Sequence, residues 1–406
     1  MSKRNIIIVS ILLILIICGL LFWYLSEPES EQGDNVSQEI PSTSLPTSQT
    51  SSSSGDEGIS EAYQNLPILS QQEVFPQKIS DSKAFDFWVN TQTFEVYYLT
   101  LNGGVYAAKE GEDIEISSQE IQSPNALFAS PSGTKALVSF GNPNSPRWGI
   151  FDVMDKVWKP LSQEIILATW GETEDELYTQ TRNRGKISLN KLDISGNSFK
   201  SEILESDFFI HDSFLFFLPP ESLIIAEKSS PQKTGSFWIL NTKTNRVTRF
   251  AKPSQGLWIE PSTDRSYLFR YFNDSEGKPV FSILDKGFSS EKSGFFFTFP
   301  DKCTNLEDSI FCFTPGSASQ KIPSVSEYLT HKSFTIDELF EYSFKTEKLG
   351  IPLSFPLQEF YTIDAFHPTV SENMIYFINR YDKGIYAMPL FVSKGEDPEN
   401  ELGDSE

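Results

Sequence analysis

Cationic side chains are scarce in this sequence. Its 406 residues include 33 Lys and Arg against 55 Asp and Glu, which gives a formal net charge of -22. Nucleic-acid binding requires clustered Lys and Arg to neutralise phosphates, and an anionic lipid surface attracts the same residues. The composition therefore excludes nucleic acid as a partner and argues against a domain that lies flat on an acidic membrane.

Histidine, cysteine and catalytic motifs are also sparse. The sequence contains three Cys and three His, namely His211, His331 and His367. It lacks a G-x-S-x-G nucleophile elbow, an H-E-x-x-H zinc motif and the spacing of a calcium loop. We therefore predict no catalytic residues, no metal and no cofactor, and we expect structural or solvent-exposed roles for the three His.

A long hydrophobic run is present near the N-terminus. Ile6–Leu25 carries no charge, and twenty helical residues rise about 30 Å, the thickness of the hydrocarbon core. Because Lys3 and Arg4 precede the run, we predict a single-pass helix (6–25) in the cell membrane, with residues 1–5 in the cytoplasm and the remainder outside. The alternatives are a cleaved signal peptide and a lipoprotein modified at Cys18.

Two segments, 26–61 and 394–406, are polar and acidic. Eight acids and no Lys or Arg lie between Glu27 and Glu61, and the second segment holds six acids and one Lys. Such segments bury too little apolar surface to offset the entropy of ordering. We predict a disordered linker over 26–61 and a disordered tail over 394–406, which leaves 62–393 as the folded domain.

Short apolar and aromatic runs repeat along 62–393, and turn residues separate them, as expected for β-strands. The second strand of each repeat is anchored at the following residues: Val96, Ala136, Leu177, Leu223, Tyr267, Ile310 and Met374. The steps between them are 40, 41, 46, 44, 43 and 64 residues. A period of about 40 to 45 residues predicts an all-β domain, a β-propeller of about seven blades. Two stacked β-sandwiches are the alternative, which the regular spacing disfavours.

The clearest repeat, SPSGTKALVSF followed by WGIFDV, resembles the units of TolB-type, WD40-like propellers. The segment FPDKCTNLEDSIFCFTP is similar to a blade of uncharacterised membrane-anchored bacterial single-propeller proteins. The resemblance covers about Tyr63 to Val392, implies a propeller fold and brings no established activity. A ring must close, and we expect Asn65–Ile79 to supply the missing fourth strand of the last blade.

Cys303 and Cys312 flank a turn between adjacent predicted strands. Antiparallel residues that lie directly opposite each other are within disulfide reach, and an extracytoplasmic location permits oxidation. Two interpretations stay open at this point: a disulfide that fixes this blade, and two free buried thiols.

The longest step between repeats contains an insertion, Pro315–Leu339. Blade loops lie on the faces of a propeller, where ligands bind. Tyr328, Leu329, His331 and Phe334 fit a partner-binding loop, since aromatic and apolar side chains anchor interfaces. The alternative is a loop that covers the channel mouth and packs on itself.

The predicted architecture favours a binding module. A membrane-anchored, extracytoplasmic propeller would present one face to a protein or glycan of the cell envelope. Two alternatives remain: an envelope hydrolase that uses carboxylates in the central channel, and a structural part of an envelope complex.

Overall fold

The structure is a computed structural model, and it describes residues 75–109, 112–196, 198–210, 213–228, 233–289, 291–293, 296–316, 319, 323–350 and 362–390. The predicted membrane helix (6–25), the linker (26–61) and the acidic tail (394–406) lie outside these residues. No helix within the described ranges is both long and apolar enough to span a membrane.

Antiparallel β-strands make up most of the described chain. Four sheets are each built from four consecutive strands. The first contains β2 (Ala84–Val89), β3 (Val96–Thr100), β4 (Val105–Ala107) and β5 (Ile114–Ser117). The second contains β6 (Pro124–Ala129), β7 (Lys135–Phe140), β8 (Arg147–Asp152) and β9 (Val157–Pro160). The third contains β10 (Ile165–Trp170), β11 (Glu176–Asn183), β12 (Lys186–Asp193) and β13 (Lys200–Glu205). The fourth contains β21 (Cys303–Leu306), β22 (Ser309–Pro315), β23 (Asp337–Ser343) and β24 (Lys348–Leu349).

A seven-stranded sheet lies between the third and fourth of these in the chain. It contains β14 (Ser213–Leu218), β15 (Ser222–Glu227), β16 (Thr234–Asn241), β17 (Arg246–Pro261), β18 (Tyr267–Asn273), β19 (Pro279–Asp285) and β20 (Glu291–Ser293). The sixteen-residue β17 pairs with β16 through its first part and with β18 through its last part. One continuous strand therefore serves two four-stranded groups.

The last sheet joins the two ends of the described chain. It contains β25 (Ala365–Ser371), β26 (Met374–Asn379) and β27 (Ile385–Pro389), and its fourth strand is the N-terminal β1 (Gln77–Lys78). Gln77 pairs with Ala387, and Lys78 forms an ion pair with Asp382 at 2.9 Å. The prediction that the segment before the first repeat supplies the missing strand is confirmed.

Apolar side chains fill the spaces between neighbouring sheets. Six buried clusters lie between neighbouring sheets, including one on each side of the β25–β27 sheet. A seventh lies within the seven-stranded sheet, between its two four-stranded groups. Sheets with two apolar faces cannot bury both faces alone, so stacking them in a ring removes most apolar surface from water. All seven residues that anchor the predicted second strands lie in or begin second strands of this arrangement.

The described part of the insertion contains one short helix, α1 (Val325–Leu329), between β22 and β23. Ser324 caps it, because its hydroxyl accepts the backbone N–H of Glu327 and the Glu327 carboxylate accepts the N–H of Ser324. This reciprocal capping box satisfies N–H groups that the first turn leaves unpaired. The third strand of this sheet begins at Asp337, two residues before the predicted Leu339.

Candidate functional site

The first strands of the sheets face one another around a central channel. Strands β2, β6, β10, β14, β17 and β25 contribute to the lining of both described cavities. In β2, β6, β10, β17 and β25 the pairing with the second strand shifts register once. Such bulges re-aim side chains, and here they occur in strands that line the channel.

The channel opens at both ends, and the two mouths differ in volume and in the connections that line them. The narrow mouth holds about 270 Å³ and is lined by connections between first and second strands, such as those containing Thr91 and Thr263. The wide mouth holds about 970 Å³ and is lined by connections between second and third strands. Both cavities share one level of the channel, which is formed by Asp86, Leu127, Phe128, Phe216, Glu260 and His367.

His367 and Asp86 form an ion pair at this shared level. The His367 Nδ1 atom lies 3.1 Å from each carboxylate oxygen of Asp86, and the imidazole stacks on Phe366. Burial lowers the pKa of His367, but the charges of Asp86, Asp301 and Glu260 raise it further, to about 9. The imidazole is surrounded by protein atoms, although 39% of its surface is accessible from the channel. His367 is therefore a cation at neutral pH.

Two further carboxyl groups lie near this cation. Burial raises the pKa of Glu260 to about 7, although the positive His367 and a hydrogen bond from Trp258 Nε1 at 3.1 Å lower it in part. Burial also raises the pKa of Asp301 to about 6. Carboxyl groups with pKa values near neutrality can hold or release a proton at physiological pH, as acid–base groups do. Within the described ranges, no group of three or more His, Cys, Asp or Glu has the arrangement of a metal site.

A buried ion network lies beside the channel and joins two sheets. Lys302 Nζ contacts Asp337 at 2.5 Å and Asp364 at 2.6 Å, and all three side chains are 0% exposed. Arg380 Nη1 donates to the other oxygen of Asp364 at 2.9 Å. Burial lowers the pKa of Lys302, but the two carboxylates raise it more. This network connects β23, the segment before β25 and the β26–β27 connection, so we interpret it as structural.

The structure places Tyr328 inside the protein, so this member of the predicted partner-binding loop is not available to a partner. Its side chain is 1% exposed. The Tyr328 hydroxyl donates to both Asp301 oxygens at 3.1 and 3.2 Å, and its ring stacks on Phe299 with a centroid distance of 4.2 Å. The Arg380 guanidinium covers the ring at 3.9 Å. Tyr328 therefore anchors the insertion to the domain.

The other three predicted residues of the insertion are at the surface. Leu329 and Phe334 are exposed, and the ring of Phe334 stacks on Tyr381 with a centroid distance of 5.0 Å. His331 lines the wide mouth, where its Nδ1 atom lies 3.2 Å from Arg380 Nη2. Burial, Lys383 and Arg380 lower the pKa of His331, so this imidazole is neutral at physiological pH.

Cys303 and Cys312 are directly opposite in the β21–β22 pair, and they are joined by a disulfide with a Cα–Cα distance of 4.2 Å. Of the three His, His331 and His367 line the same wide cavity although they are far apart in the sequence. His211 lies outside the described residues.

Sequence reasoning missed the channel carboxylates Asp86, Glu260 and Asp301, because any of 55 acidic residues could have been chosen. One signal was available. Asp86 and Glu260 lie within runs of buried aromatic and apolar residues, FDFW and LWIEP, where a carboxyl group is expensive to bury unless it has a role.

The sequence matches no family model, and it matches no curated protein. Solved structures do resemble the chain. An oligogalacturonate lyase from Vibrio parahaemolyticus has a TM-score of 0.52 at 11% identity, covering 79% of this chain and 94% of that one. An oligogalacturonate lyase in complex with manganese has a TM-score of 0.52 at 9% identity, covering 79% and 96%. The β-propeller domain of Swd1 from Myceliophteria thermophila has a TM-score of 0.47 at 10% identity, covering 78% and 100%.

At sequence identities this low, the structural similarity is evidence for the fold alone. The two structures with a TM-score of 0.52 agree with the ring of four-stranded sheets and with the repeats that resemble TolB-type, WD40-like units. The described domain is a β-propeller.

Proposed function

We propose that this protein is a binding module that takes its ligand in the wide mouth of the propeller channel. The observation that carries the proposal is the cavity of about 970 Å³ formed there. Ligand sites are concave, mostly apolar and equipped with a few placed polar groups, and volumes of about 300 to 1,000 Å³ are typical. Phe85, Phe214 and Phe366 supply apolar surface, and basic side chains supply the polar groups.

The insertion supports this assignment. Tyr328 ties it to the domain, and His331 then lies in the lining of the wide mouth. The connections that contain Leu101, Asn144 and Lys383 approach the same mouth. A ligand in this cavity would contact several blades and the insertion together, which suits a selective site built on a rigid scaffold.

The proposal includes the placement of the domain. We infer seven blades, since seven apolar clusters separate successive four-stranded groups when β17 is counted in two of them. The charge-free run Ile6–Leu25 would anchor the chain in the cell membrane and hold the propeller outside the cytoplasm. The ligand would then be a protein or glycan of the cell envelope, with the disulfide consistent with an oxidising location.

A capture experiment tests the proposal. The full chain, purified in a neutral detergent, would be incubated with the envelope fraction of the source cell and compared with a Leu101→Glu variant. Leu101 lines the wide mouth and is 47% exposed, so the substitution adds charge without disturbing the core. A Met154→Glu variant is the matched control, because Met154 is 78% exposed in a β8–β9 connection outside both cavities.

We expect capture by the unmodified chain and by Met154→Glu, and loss of capture with Leu101→Glu. Equal capture by all three chains would move the site away from the wide mouth. Capture by none would refute a ligand from the envelope fraction.

A second candidate function, an envelope hydrolase, is favoured by one observation. Glu260 has a pKa near 7, and Asp86 and Asp301 lie in the same channel. A raised carboxyl pKa suits a general acid, and a second carboxylate suits a base or nucleophile. Release of new reducing ends from envelope polysaccharide, abolished by Glu260→Gln, would favour this function over the binding module.

A further inference from the structure

The wide mouth is electropositive in a chain whose formal net charge is -22. Among the described residues, the Arg and Lys side chains that line it are Arg182, Lys228 and Lys383, in addition to the His367 cation. Its two carboxyl groups are Asp86, which His367 neutralises at 3.1 Å, and Glu260, whose pKa is raised. A cleft lined by one sign of charge focuses the electrostatic field and raises the local concentration of oppositely charged ligands.

Two of these cations have no side-chain partner among the described residues. Within the described residues, neither the Arg182 guanidinium nor the Lys383 ammonium forms a side-chain hydrogen bond or ion pair. Two partly buried lysines elsewhere in the domain do have carboxylate partners, in the Lys135–Asp175 and Lys191–Glu176 pairs at 3.1 and 2.5 Å. Lys383 is also half-buried, so it gives up part of its hydration without a compensating side-chain contact from the part of the chain that the structure describes.

The cations are distributed around the mouth instead of converging on one point. Arg182 belongs to β11, Lys228 follows β15, and Lys383 lies in the β26–β27 connection. These positions belong to three different sheets. A ligand with a single anionic group would satisfy one of them, whereas a ligand with several spaced anionic groups would satisfy more.

We propose that the wide mouth binds an acidic oligosaccharide, whose sugar rings pack against Phe85, Phe214 and Phe366 while its anionic groups meet Arg182 and Lys383. This inference rests on the binding function proposed above and names its ligand class. Sugar rings are rigid and carry apolar faces, so a chain of them loses less conformational entropy on binding than an acidic peptide does. Because the cations are fixed on different blades, they would select ligands whose anionic groups have a matching spacing.

The test uses the full chain in neutral detergent and three soluble probes. These are an oligosaccharide of six uronate units, its carboxyl-reduced neutral counterpart and a hexaglutamate peptide, with binding measured by titration calorimetry. The test variant is Arg182→Gln/Lys383→Gln. The matched control is Arg246→Gln/Lys156→Gln, which also removes one Arg and one Lys: Lys156 lies in the β8–β9 connection, and Arg246 is the first residue of β17. Lys156 resembles Lys383 in backbone conformation, with φ values of 57° and 61°.

We expect the uronate oligosaccharide to bind more tightly than the other two probes. The test variant should lower its affinity about tenfold or more, because two charge-assisted contacts are lost. The affinity of the control variant should stay within about twofold of that of the unmodified chain. The affinity of the unmodified chain should fall as ionic strength rises, because salt screens exposed charges. Equal binding of the neutral probe, equal binding of hexaglutamate, equal weakening by the control, or no binding of the uronate probe would each overturn the proposal.

The outcome is distinguishable from that of the capture experiment. If envelope capture depends on Leu101 but survives Arg182→Gln/Lys383→Gln, the binding module stands and the acidic oligosaccharide does not. If capture fails for every chain while the uronate oligosaccharide binds in the wide mouth, the anionic ligand stands and the envelope partner does not.

Discussion

Replacing Lys302 by Met should strongly destabilise the domain. The Lys302 ammonium contacts Asp337, Asp364 and Thr335 at 2.5, 2.6 and 2.9 Å, and no solvent reaches the two carboxylates. Met matches the length of the stem but leaves two carboxylates that Lys302 had neutralised, one of which keeps Arg380. Removing one member of a buried ion network costs about 3 to 5 kcal/mol of unfolding free energy.

The pH dependence of that cost has a defined sign. Burial raises the pKa of Asp337, and losing Lys302 removes the strongest effect that lowers it. A carboxyl group whose pKa is higher in the folded state than in the unfolded state destabilises the fold above its ordinary pKa, and the penalty disappears as the pH falls below that value. Lys302→Met should therefore be closer to the unmodified chain at pH 5 than at pH 8.

Guanidinium unfolding followed by circular dichroism measures this effect, with Lys186→Met as the control. Lys186 also pairs with a carboxylate, Asp207, at 2.9 Å, but the two side chains are 71% and 58% exposed, so its loss should leave the midpoint almost unchanged. The double variant Lys302→Met/Asp337→Asn should recover part of the loss, since it removes one of the uncompensated charges. An unchanged midpoint for Lys302→Met would refute the electrostatic account of this network.

Three further predictions concern the insertion, the disulfide and the channel. Tyr328→Phe should cost about 1 to 3 kcal/mol in guanidinium unfolding, because the buried Asp301 loses a hydroxyl donor, and an unchanged midpoint would contradict the anchoring role. Reduction of the Cys303–Cys312 bond, which closes a loop with a sequence separation of 9, should lower stability by about 2 to 3 kcal/mol, and alkylation of the unreduced, denatured chain should leave both residues unlabelled. The pKa of His367 is raised from 6.5 to about 9, so its stabilising contribution is complete below pH 6.5 and is lost as the pH rises towards 9. His367→Gln should flatten the decline in thermal stability across that range, and an equal decline in both chains would contradict the pairing with Asp86.

The strand plan could be predicted from the sequence because it depends on local patterns. Alternating apolar runs and turn residues identify strands, and a period near 40 residues identifies the blade. All seven anchor residues therefore fell on second strands. The closure by the N-terminal segment also followed, since a ring with an incomplete last blade needs one more strand from the other end of the chain.

The channel could not be predicted in the same way. Asp86 and His367 form an ion pair across 281 residues, Glu260 comes from β17, and Asp301 comes from the connection that precedes β21. Their proximity depends on how the blades are arranged around the channel and on the bulges that re-aim side chains, and neither leaves a periodic signal. Tyr328 was misjudged for a related reason, since its buried partners Phe299 and Asp301 lie in the preceding blade connection.

Ring closure has a kinetic consequence. Most hydrogen-bonded strand neighbours are consecutive in the chain, so each sheet can form from contacts that are close in sequence. The closing contacts are different: the backbone N–H of Ile385 reaches the Ser80 hydroxyl across 305 residues. Joining such distant segments carries a large loop-closure entropy until the intervening blades have formed. The two-residue strand β1 is therefore expected to join last during folding and to detach first during unfolding. Unfolding of the whole ring would then begin at the pairing of β1 with β27.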